Sequence, residues 1–167
     1  TLAETLPLKT VLKSHKRSVV VSMLLTWLLS ACIVVVILMA PTLMQKQHAV
    51  SAALSLQANS LATVMLLAGC VITGWLVDRF GAARVLMVGS VLLALCSWNF
   101  FHQLDNGPQA LFVSYGLAGL SVGVVGVVPF VMVSAFPAAV RFTGISFSYN
   151  VAYAIFGGLT PIFVTLI

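Results

Sequence analysis

Residues 18–45 read SVVVSMLLTWLLSACIVVVILMAPTLMQ, and this stretch contains no Asp, Glu, Lys or Arg. A helix needs roughly 20 apolar residues to cross about 30 Å of hydrocarbon at about 1.5 Å per residue. Four further stretches reach that length without a charged residue, namely 47–77, 85–104, 106–140 and 142–167. The pattern predicts five membrane-spanning helices and therefore an all-α integral membrane protein.

The composition supports the same conclusion and excludes other classes of protein. Of 167 residues, 61% are hydrophobic and 7% are charged, against about 25% charged in an average soluble domain. The net charge of +5 could suggest a nucleic-acid partner, but the basic residues lie where the apolar stretches stop rather than on one polar face. We therefore expect the lipid bilayer as a partner and no nucleic acid.

The basic residues also predict an orientation. Short cytoplasmic loops collect Lys and Arg. If the basic segment before the first span is cytoplasmic, alternating crossings place three later arginines on the same side and only Lys46 outside. These three are Arg79, Arg84 and Arg141. We predict a multi-pass protein of the cell inner membrane with its N-terminal segment in the cytoplasm.

The chain divides into a basic lead-in, residues 1–17, and a five-span bundle, residues 18–167. The lead-in can form a short amphipathic helix that lays Leu8, Val11 and Leu12 on the membrane surface, with its lysines toward anionic headgroups. A solvated basic linker is the alternative. A secretory signal is rejected, because its apolar core has roughly 7 to 15 residues and the first span here is far longer.

The ends of the spans are predicted from proline, glycine and charged residues. The first span is expected to close at Ala40-Pro41, with Lys46 and His48 in a short external loop, and residues 105–108 form an external turn. The expected spans are residues 19–39, 53–77, 85–101, 110–133 and from 142 onward. The chain begins with Thr1 and stops within an apolar stretch, so we expect a fragment with an odd number of spans.

The fourth span carries four glycines separated by three, four and three residues, so that they lie within about 80° of arc. They are Gly116, Gly119, Gly123 and Gly126. Such a stripe allows another helix backbone to approach closely, and we favour helix packing over direct ligand contact. Pro129 is expected to bend or loosen the inner end of this span.

The fifth span carries a polar stripe within about 100° of arc. Its members are Ser146, Tyr149, Asn150, Tyr153, Gly157 and Thr160. Lipid cannot satisfy an amide or two phenols, so the stripe faces either a hydrogen-bonded seam between helices or a water-filled cavity. The cavity is favoured because two tyrosines pack poorly in a close seam, and Thr26 and Ser30 of the first span are expected to face it. Trp27 could stack on a cation, although packing is the commoner role.

Residues 74–84 read GWLVDRFGAAR and join two spans by a short turn. This turn resembles the GxLxDRxGRR loop of the major facilitator superfamily. The matching residues are Gly74, Asp78, Arg79, Gly81 and Arg84. It departs from the family pattern at Ala82 and Ala83, where basic residues are usual. The resemblance implies that Asp78 stabilises one conformation through a helix N-terminus; the alternative is an exposed ion pair with Arg79 or Arg84.

Residues 136–150 read FPAAVRFTGISFSYN and are followed by GGLTP at 157–161. This region is similar to FPxxVRYTGxSxxYN and GGxxP of the metabolite/proton symporters, which carry proline and betaine, citrate, α-ketoglutarate or shikimate. Arg141 matches the motif arginine. The departures are Ala139 and Phe142, which put in doubt any ion pair or phenol hydrogen bond that relatives make there.

The resemblance implies a C-terminal half of a twelve-span transporter, spans seven to eleven, that lacks the N-terminal six-helix half. It also implies proton-coupled symport of a small organic acid or zwitterionic osmolyte by alternating access. No Asp or Glu lies inside a span, so the coupling carboxylate is expected in the missing half. The alternatives are a drug or sugar carrier of the same superfamily, or a structural or channel subunit.

An enzyme is not expected, because the spans offer only isolated Ser, Thr, Tyr and Cys rather than a clustered catalytic or metal-binding set. No cofactor and no metal are therefore expected. The cysteines Cys32, Cys70 and Cys96 fall in different spans without metal or redox spacing, and each is expected to pack as a small apolar side chain.

Overall fold

The structure, a computed structural model, describes residues 7–166. Within this range the chain forms helices and no strand. A short helix, α1 (Pro7–Ser14), precedes five long helices. These are α2 (Lys16–Gln47), α3 (Ala52–Phe80), α4 (Ala82–His102), α5 (Pro108–Ala135) and α6 (Arg141–Leu166). Each is long and apolar enough to cross a membrane, which confirms the predicted all-α, five-span membrane fold.

Helix α2 runs further than predicted. The expected stop at Ala40-Pro41 was wrong, because the helix continues to Gln47 and carries Lys46 in its last turn. Proline removes a backbone donor and its ring clashes with the carbonyl four residues back. The backbone relieves that clash by widening into a π-helical segment, Ile33–Met39, where the N–H of Ala40 donates to the carbonyl of Val35 five residues back.

The connection between α3 and α4 is a single residue, Gly81. Its φ angle is 85°, a left-handed conformation that glycine adopts without strain from a Cβ. Its N–H donates to the carbonyl of Val77 at 2.9 Å and closes the last turn of α3. Since α4 begins at the next residue, the two spans reverse direction with no room for a soluble insertion.

The described chain divides into two compact units, one containing residues 7–31 and 128–166, the other containing Cys32–Val127. In the second unit, α3 packs on α5 along the glycine stripe. A Cβ on Gly119 or Gly123 would overlap the backbone of α3, whereas a Cβ on Gly116 or Gly126 would lie at ordinary contact distance from α3. The two middle glycines therefore allow backbone-to-backbone approach.

In the first unit, α1 contributes Val11 to a small apolar core with Val19 and Phe136. Val11 is fully buried, so its expected place on the membrane surface was wrong. Leu8 and Leu12 remain 40% and 41% exposed on the adjacent face of the helix. One helical face thus packs against protein while the neighbouring face is free for lipid. Residues 1–6 of the lead-in lie outside the described residues.

Candidate functional site: the polar face of α6 and the two loop motifs

Helix α6 exposes much of its predicted polar stripe. Tyr149 and Asn150 are exposed, and Ser146 and Tyr153 are half-buried. The rings of Tyr149 and Tyr153 stack with centroids 5.5 Å apart and planes at 24°. The Asn150 Nδ2 donates to the carbonyl of Ser146 at 2.7 Å. These four residues form one surface, which we call the α6 polar face.

Several hydrogen-bonding groups of the α6 polar face have no partner among the described residues. Within residues 7–166, neither the Tyr149 nor the Tyr153 hydroxyl has a partner, and the Asn150 amide uses one of its groups on its own helix. The end of the stripe differs, because Thr160 is buried and donates its hydroxyl proton to the carbonyl of Phe156. The free donors and acceptors are therefore concentrated between Ser146 and Tyr153.

The first span does not present its predicted hydroxyls to this face. Thr26 and Ser30 are fully buried. The Thr26 hydroxyl donates to the carbonyl of Ser22 at 2.8 Å, and the Ser30 hydroxyl donates to the carbonyl of Trp27 at 3.0 Å. The structure therefore does not bring Thr26 and Ser30 onto one exposed surface with the tyrosines of α6.

An aromatic contact joins α2 to α6 instead. The rings of Trp27 and Phe156 stack with centroids 4.7 Å apart and planes at 19°. Trp27 is still 47% exposed, so one part of the indole packs on Phe156 and another part is open. The open part offers a second aromatic surface in addition to the tyrosine pair.

The turn between α3 and α4 presents its charged residues outward. Asp78, Arg79 and Arg84 are all exposed, and Asp78 makes no ion pair within residues 7–166. The Arg79 guanidinium instead lies 5.5 Å from the ring centroid of Trp75 and 5.8 Å from that of Phe80. An ion pair of Asp78 with either arginine is therefore not formed here.

The two glycines of this turn differ in what they permit. Gly81 supplies the left-handed backbone of the connection between the spans. A Cβ on Gly74 would meet no atom within 4 Å. Packing within the described residues therefore does not require glycine at position 74.

The second motif forms the compact turn that connects α5 to α6. Phe136 is buried, and a Cβ on Gly144 would overlap its ring, so glycine makes room for the phenyl group. The Arg141 Nε donates to the Phe136 carbonyl at 3.2 Å. Ala139 and Phe142, where the chain departs from the family pattern, are both exposed. The departures therefore leave this local packing intact.

Sequence reasoning missed Tyr115, a fully buried side chain of α5. Its hydroxyl donates to the carbonyl of Val36 at 2.7 Å, inside the π-helical segment of α2, and contacts the side-chain amide of Asn59 on α3. Its ring stacks on Phe100 of α4, with centroids 4.4 Å apart. A phenol within an apolar span must find a hydrogen-bond partner, and this rule could have identified Tyr115 from the sequence.

Sequence reasoning also missed a pair at the opposite end from the charged turn. The His48 Nδ1 lies 2.8 Å from the Asp105 Oδ1 and links the end of α2 to the loop after α4. Both residues were expected in external loops, but nothing in their spacing predicted the contact. The pair shows that these two loops lie at the same end of their unit.

Within residues 7–166, no three side chains of His, Cys, Asp or Glu come together in a metal-binding arrangement. Cys32, Cys70 and Cys96 are free thiols. The described residues contain a set of apolar spans, one polar aromatic face and one short charged turn. These features define a multi-pass helical membrane protein.

Comparison with known proteins identifies the family. The family model described as sugar (and other) transporter matches residues 2–167. The chain therefore belongs to this family of the major facilitator superfamily. The family consists of transporters rather than enzymes, and the five apolar helices fit its multi-pass membrane fold.

Three curated proteins are similar to the chain. The citrate-proton symporter of Klebsiella pneumoniae is 30% identical over 151 residues, which cover 88% of this chain and 34% of that protein. The shikimate transporter of Escherichia coli K12 is 34% identical over 90 residues, covering 52% of this chain and 20% of that protein. The inner membrane metabolite transport protein YhjE of the same organism is 31% identical over 96 residues, which cover 54% of this chain and 21% of that protein.

The chain thus spans about a third of the length of the citrate-proton symporter that it resembles. No solved structure matches the chain significantly.

Proposed function

We propose that the intact protein is a secondary active symporter that moves a small organic acid or a zwitterionic osmolyte together with a proton by alternating access. In this proposal the chain supplies spans seven to eleven of the C-terminal half, and its N-terminal segment is cytoplasmic. The observation that carries the proposal is the α6 polar face, because it combines exposed phenol and amide groups with a membrane-spanning helix.

Hydrocarbon cannot satisfy the hydrogen bonds of these groups, so the α6 polar face meets either water or another part of the intact protein. Two phenol hydroxyls and one amide can together donate to a carboxylate without carrying charge themselves. Such a wall orients an organic acid or a zwitterion. Charge selection is left to residues elsewhere in the intact protein.

The proton requires a group that titrates in contact with both substrate and solvent. The two carboxylates within residues 7–166, Asp78 and Asp105, lie in the last turn of α3 and in the loop after α4, outside the apolar parts of the spans. We therefore assign the coupling carboxylate to the N-terminal six-helix half. The similarity to a citrate-proton symporter of Klebsiella pneumoniae supports proton coupling.

In this proposal the charged turn has a gating role rather than a binding role. Asp78 is exposed and free of ion pairs within residues 7–166, so its charge is available to a helix N-terminus in one conformation of the transport cycle. Alternating access needs such conformation-specific contacts, because a contact present in both conformations shifts no equilibrium.

A sugar carrier is the second candidate. It is favoured by the description of the matching family and by the two aromatic stacks, Tyr149 with Tyr153 and Trp27 with Phe156. Aromatic faces pack on the apolar faces of sugar rings, and phenol and amide groups bind hydroxyls.

The deciding experiment is uptake by cells that express the intact protein, with labelled organic acids, betaines and sugars, each with and without a protonophore. We expect saturable uptake of an organic acid or betaine that the protonophore abolishes. Saturable sugar uptake that the protonophore leaves unchanged would replace the proposal with the second candidate. A vector-only strain provides the background rate.

A further inference from the structure

A slot of about 550 Å³ lies between α3, α4 and α5. Its walls are almost entirely apolar, and much of their surface is exposed. The main wall residues are Ile72, Leu76, Phe80, Val88, Leu92 and Leu117. One charged side chain, Arg84, also lines the slot.

The slot results from unequal helix packing. Helix α5 approaches α3 through the glycine stripe and approaches α4 at Gly89, where a Cβ would overlap the side chain of Val124. Helix α4 lies against α5 more extensively than against α3. A gap therefore remains between α3 and α4 above their connection at Gly81.

The dimensions of the slot are sufficient for one acyl chain. Its lining on α3 extends from Gly69 to Phe80, which corresponds to about 16 Å along a helix axis. Spread over that length, the 550 Å³ give a mean cross-section of roughly 34 Å². A single hydrocarbon chain fits this width.

The length of the slot also corresponds to one leaflet of a membrane. Half of a hydrocarbon core about 30 Å thick is about 15 Å, close to the length of the slot. The slot begins beside the charged turn, where the lipid headgroups of that leaflet lie. It therefore runs from headgroup level toward the middle of the bilayer, as an acyl chain does.

Charge complementarity defines the headgroup. Arg84 is exposed and has no hydrogen bond or ion pair within residues 7–166. Arg79 lies over the ring of Phe80, a wall residue, and so places a second cation near the same opening. Asp78 is the one carboxylate of this turn, which leaves a net positive charge. Arginine binds phosphate oxygens through two parallel hydrogen bonds.

We propose that the slot between α3, α4 and α5 binds one acyl chain of an anionic phospholipid whose phosphate is held by Arg84. The lipid comes from the leaflet on the side of the charged turn, which collects anionic lipid if that side is cytoplasmic. This lipid site is independent of the transported substrate and of the gating role of Asp78.

The test is native mass spectrometry of the intact transporter released from detergent with added phosphatidylglycerol or phosphatidylcholine. Leu92→Trp fills the slot, and Leu95→Trp is the matched control, because both leucines are exposed on α4 but only Leu92 lines the slot. We expect Leu92→Trp to lower the retained phosphatidylglycerol about tenfold, since excluding two methylenes is worth about that factor. The control should retain lipid within about twofold of the parent protein.

The headgroup contact is tested separately with Arg84→Gln, which should abolish the preference for phosphatidylglycerol over phosphatidylcholine and leave phosphatidylcholine binding unchanged. Lys46→Gln, which removes a charge at the opposite end of the spans, should keep the preference. Thermal unfolding of all four variants in detergent shows whether each remains folded.

Three results would overturn the proposal: equal lipid retention in Leu92→Trp and the parent, equal loss in both tryptophan variants, or a preference that survives Arg84→Gln. A photoactivatable phosphatidylglycerol with its reactive group near the end of one chain should label the peptide that contains Cys96, a residue of the slot wall. A photoreactive amino acid at Leu92 that cross-links to another segment of the intact protein would replace the lipid with a protein occupant.

Discussion

At the scale of single residues, Tyr115 makes contacts that no single span could provide. Its hydroxyl donates to the carbonyl of Val36 and contacts Asn59, while its ring stacks on Phe100. In π-helical winding the carbonyl of Val36 would accept from the N–H five residues on, but that residue is Pro41, which has no N–H, and hydrocarbon offers no replacement. The phenol therefore stabilises the widened part of α2.

We predict that Tyr115→Phe destabilises the intact protein by about 1 to 3 kcal/mol, the usual range for leaving a buried hydrogen-bonding group without its partner. The phenyl ring keeps the stack on Phe100, so the loss isolates the hydroxyl. Unfolding in detergent, followed by heating or by denaturant, measures the change. Tyr153→Phe is the control, because that hydroxyl has no partner within residues 7–166, and equal losses in the two variants would contradict the role of Tyr115.

The α6 polar face leads to a prediction about substrate affinity. Asn150→Leu should raise the half-saturation concentration for uptake about tenfold, because a hydrogen bond to a charged ligand contributes about 1.5 to 3 kcal/mol. Thr165→Val, on the same helix, is the control, since the Thr165 hydroxyl is already bonded to backbone carbonyls of α6. Unchanged uptake together with lower stability would show that Asn150 lies in a seam between helices.

At the scale of the helices, the departures from α-helical geometry follow the prolines. Each span with a proline in its interior contains a π or 3₁₀ segment that includes the residue four positions before that proline. The pairs are Pro41 with Ile37 in Ile33–Met39, Pro129 with Val125 in Gly123–Gly126, and Pro161 with Gly157 in Tyr153–Gly157. Helices α3 and α4, which lack an interior proline, are continuous α-helices.

This regularity has a direct physical reason. A proline ring collides with the carbonyl four residues earlier, so the backbone changes its winding at that carbonyl. We predict that Pro161→Ala lets α6 wind as a regular α-helix, raises the melting temperature by a few degrees and lowers the maximal uptake rate. The π segment of α6 begins at Tyr153, so regular winding would also turn the α6 polar face.

Pro108→Ala is the control for this prediction, because Pro108 is the first residue of α5, where proline removes no helical hydrogen bond. Uptake and melting temperature should be nearly unchanged in that variant. Reconstituted transporter in vesicles allows both quantities to be measured on one preparation. A Pro161→Ala variant with the parent's rate and stability would show that the π segment has another cause.

The sequence was sufficient for the existence of the five spans, because uncharged stretches long enough to cross a bilayer have few other stable solutions. The sequence did not predict where α2 ends, because a proline can either stop a helix or be accommodated by a π-helical segment. The sequence predicted that Thr26 and Ser30 lie on one face of the first span, but it did not predict which part of the protein packs against that face. The contacts of Tyr115 join three helices, and no periodicity within one helix predicts them.

At the scale of the whole molecule, the charged side chains of residues 16–166 lie at the ends of the spans or in the loops between them. One end of the unit Cys32–Val127 carries the turn with Asp78, Arg79 and Arg84, and the other carries the pair of His48 and Asp105. Each carboxylate has a different environment, because Asp105 lies 2.8 Å from a partner and Asp78 makes no ion pair within residues 7–166. An unpaired charge at one end is suited to a contact that forms in only one state of a transport cycle.

The last prediction concerns this difference between the two carboxylates. Asp78→Asn keeps the shape of the side chain and removes its charge. If the charge stabilises one conformation of the intact transporter by about 1.5 to 3 kcal/mol, the variant shifts the balance between conformations by about tenfold to a hundredfold. We therefore expect the maximal uptake rate to fall about tenfold, with equilibrium substrate binding within about twofold of the parent.

Asp105→Asn is the matched control, since the same substitution at an exposed carboxylate with a single histidine partner should cost at most about 1 kcal/mol and little activity. Uptake into vesicles and binding of labelled substrate to detergent-solubilised protein separate the rate from the affinity. A loss of binding in proportion to uptake would place Asp78 in substrate recognition instead of gating. The opposite outcome, slow transport with intact binding, requires that the charged turn controls how the two halves of the protein exchange conformations, since the substrate then binds and fails to cross.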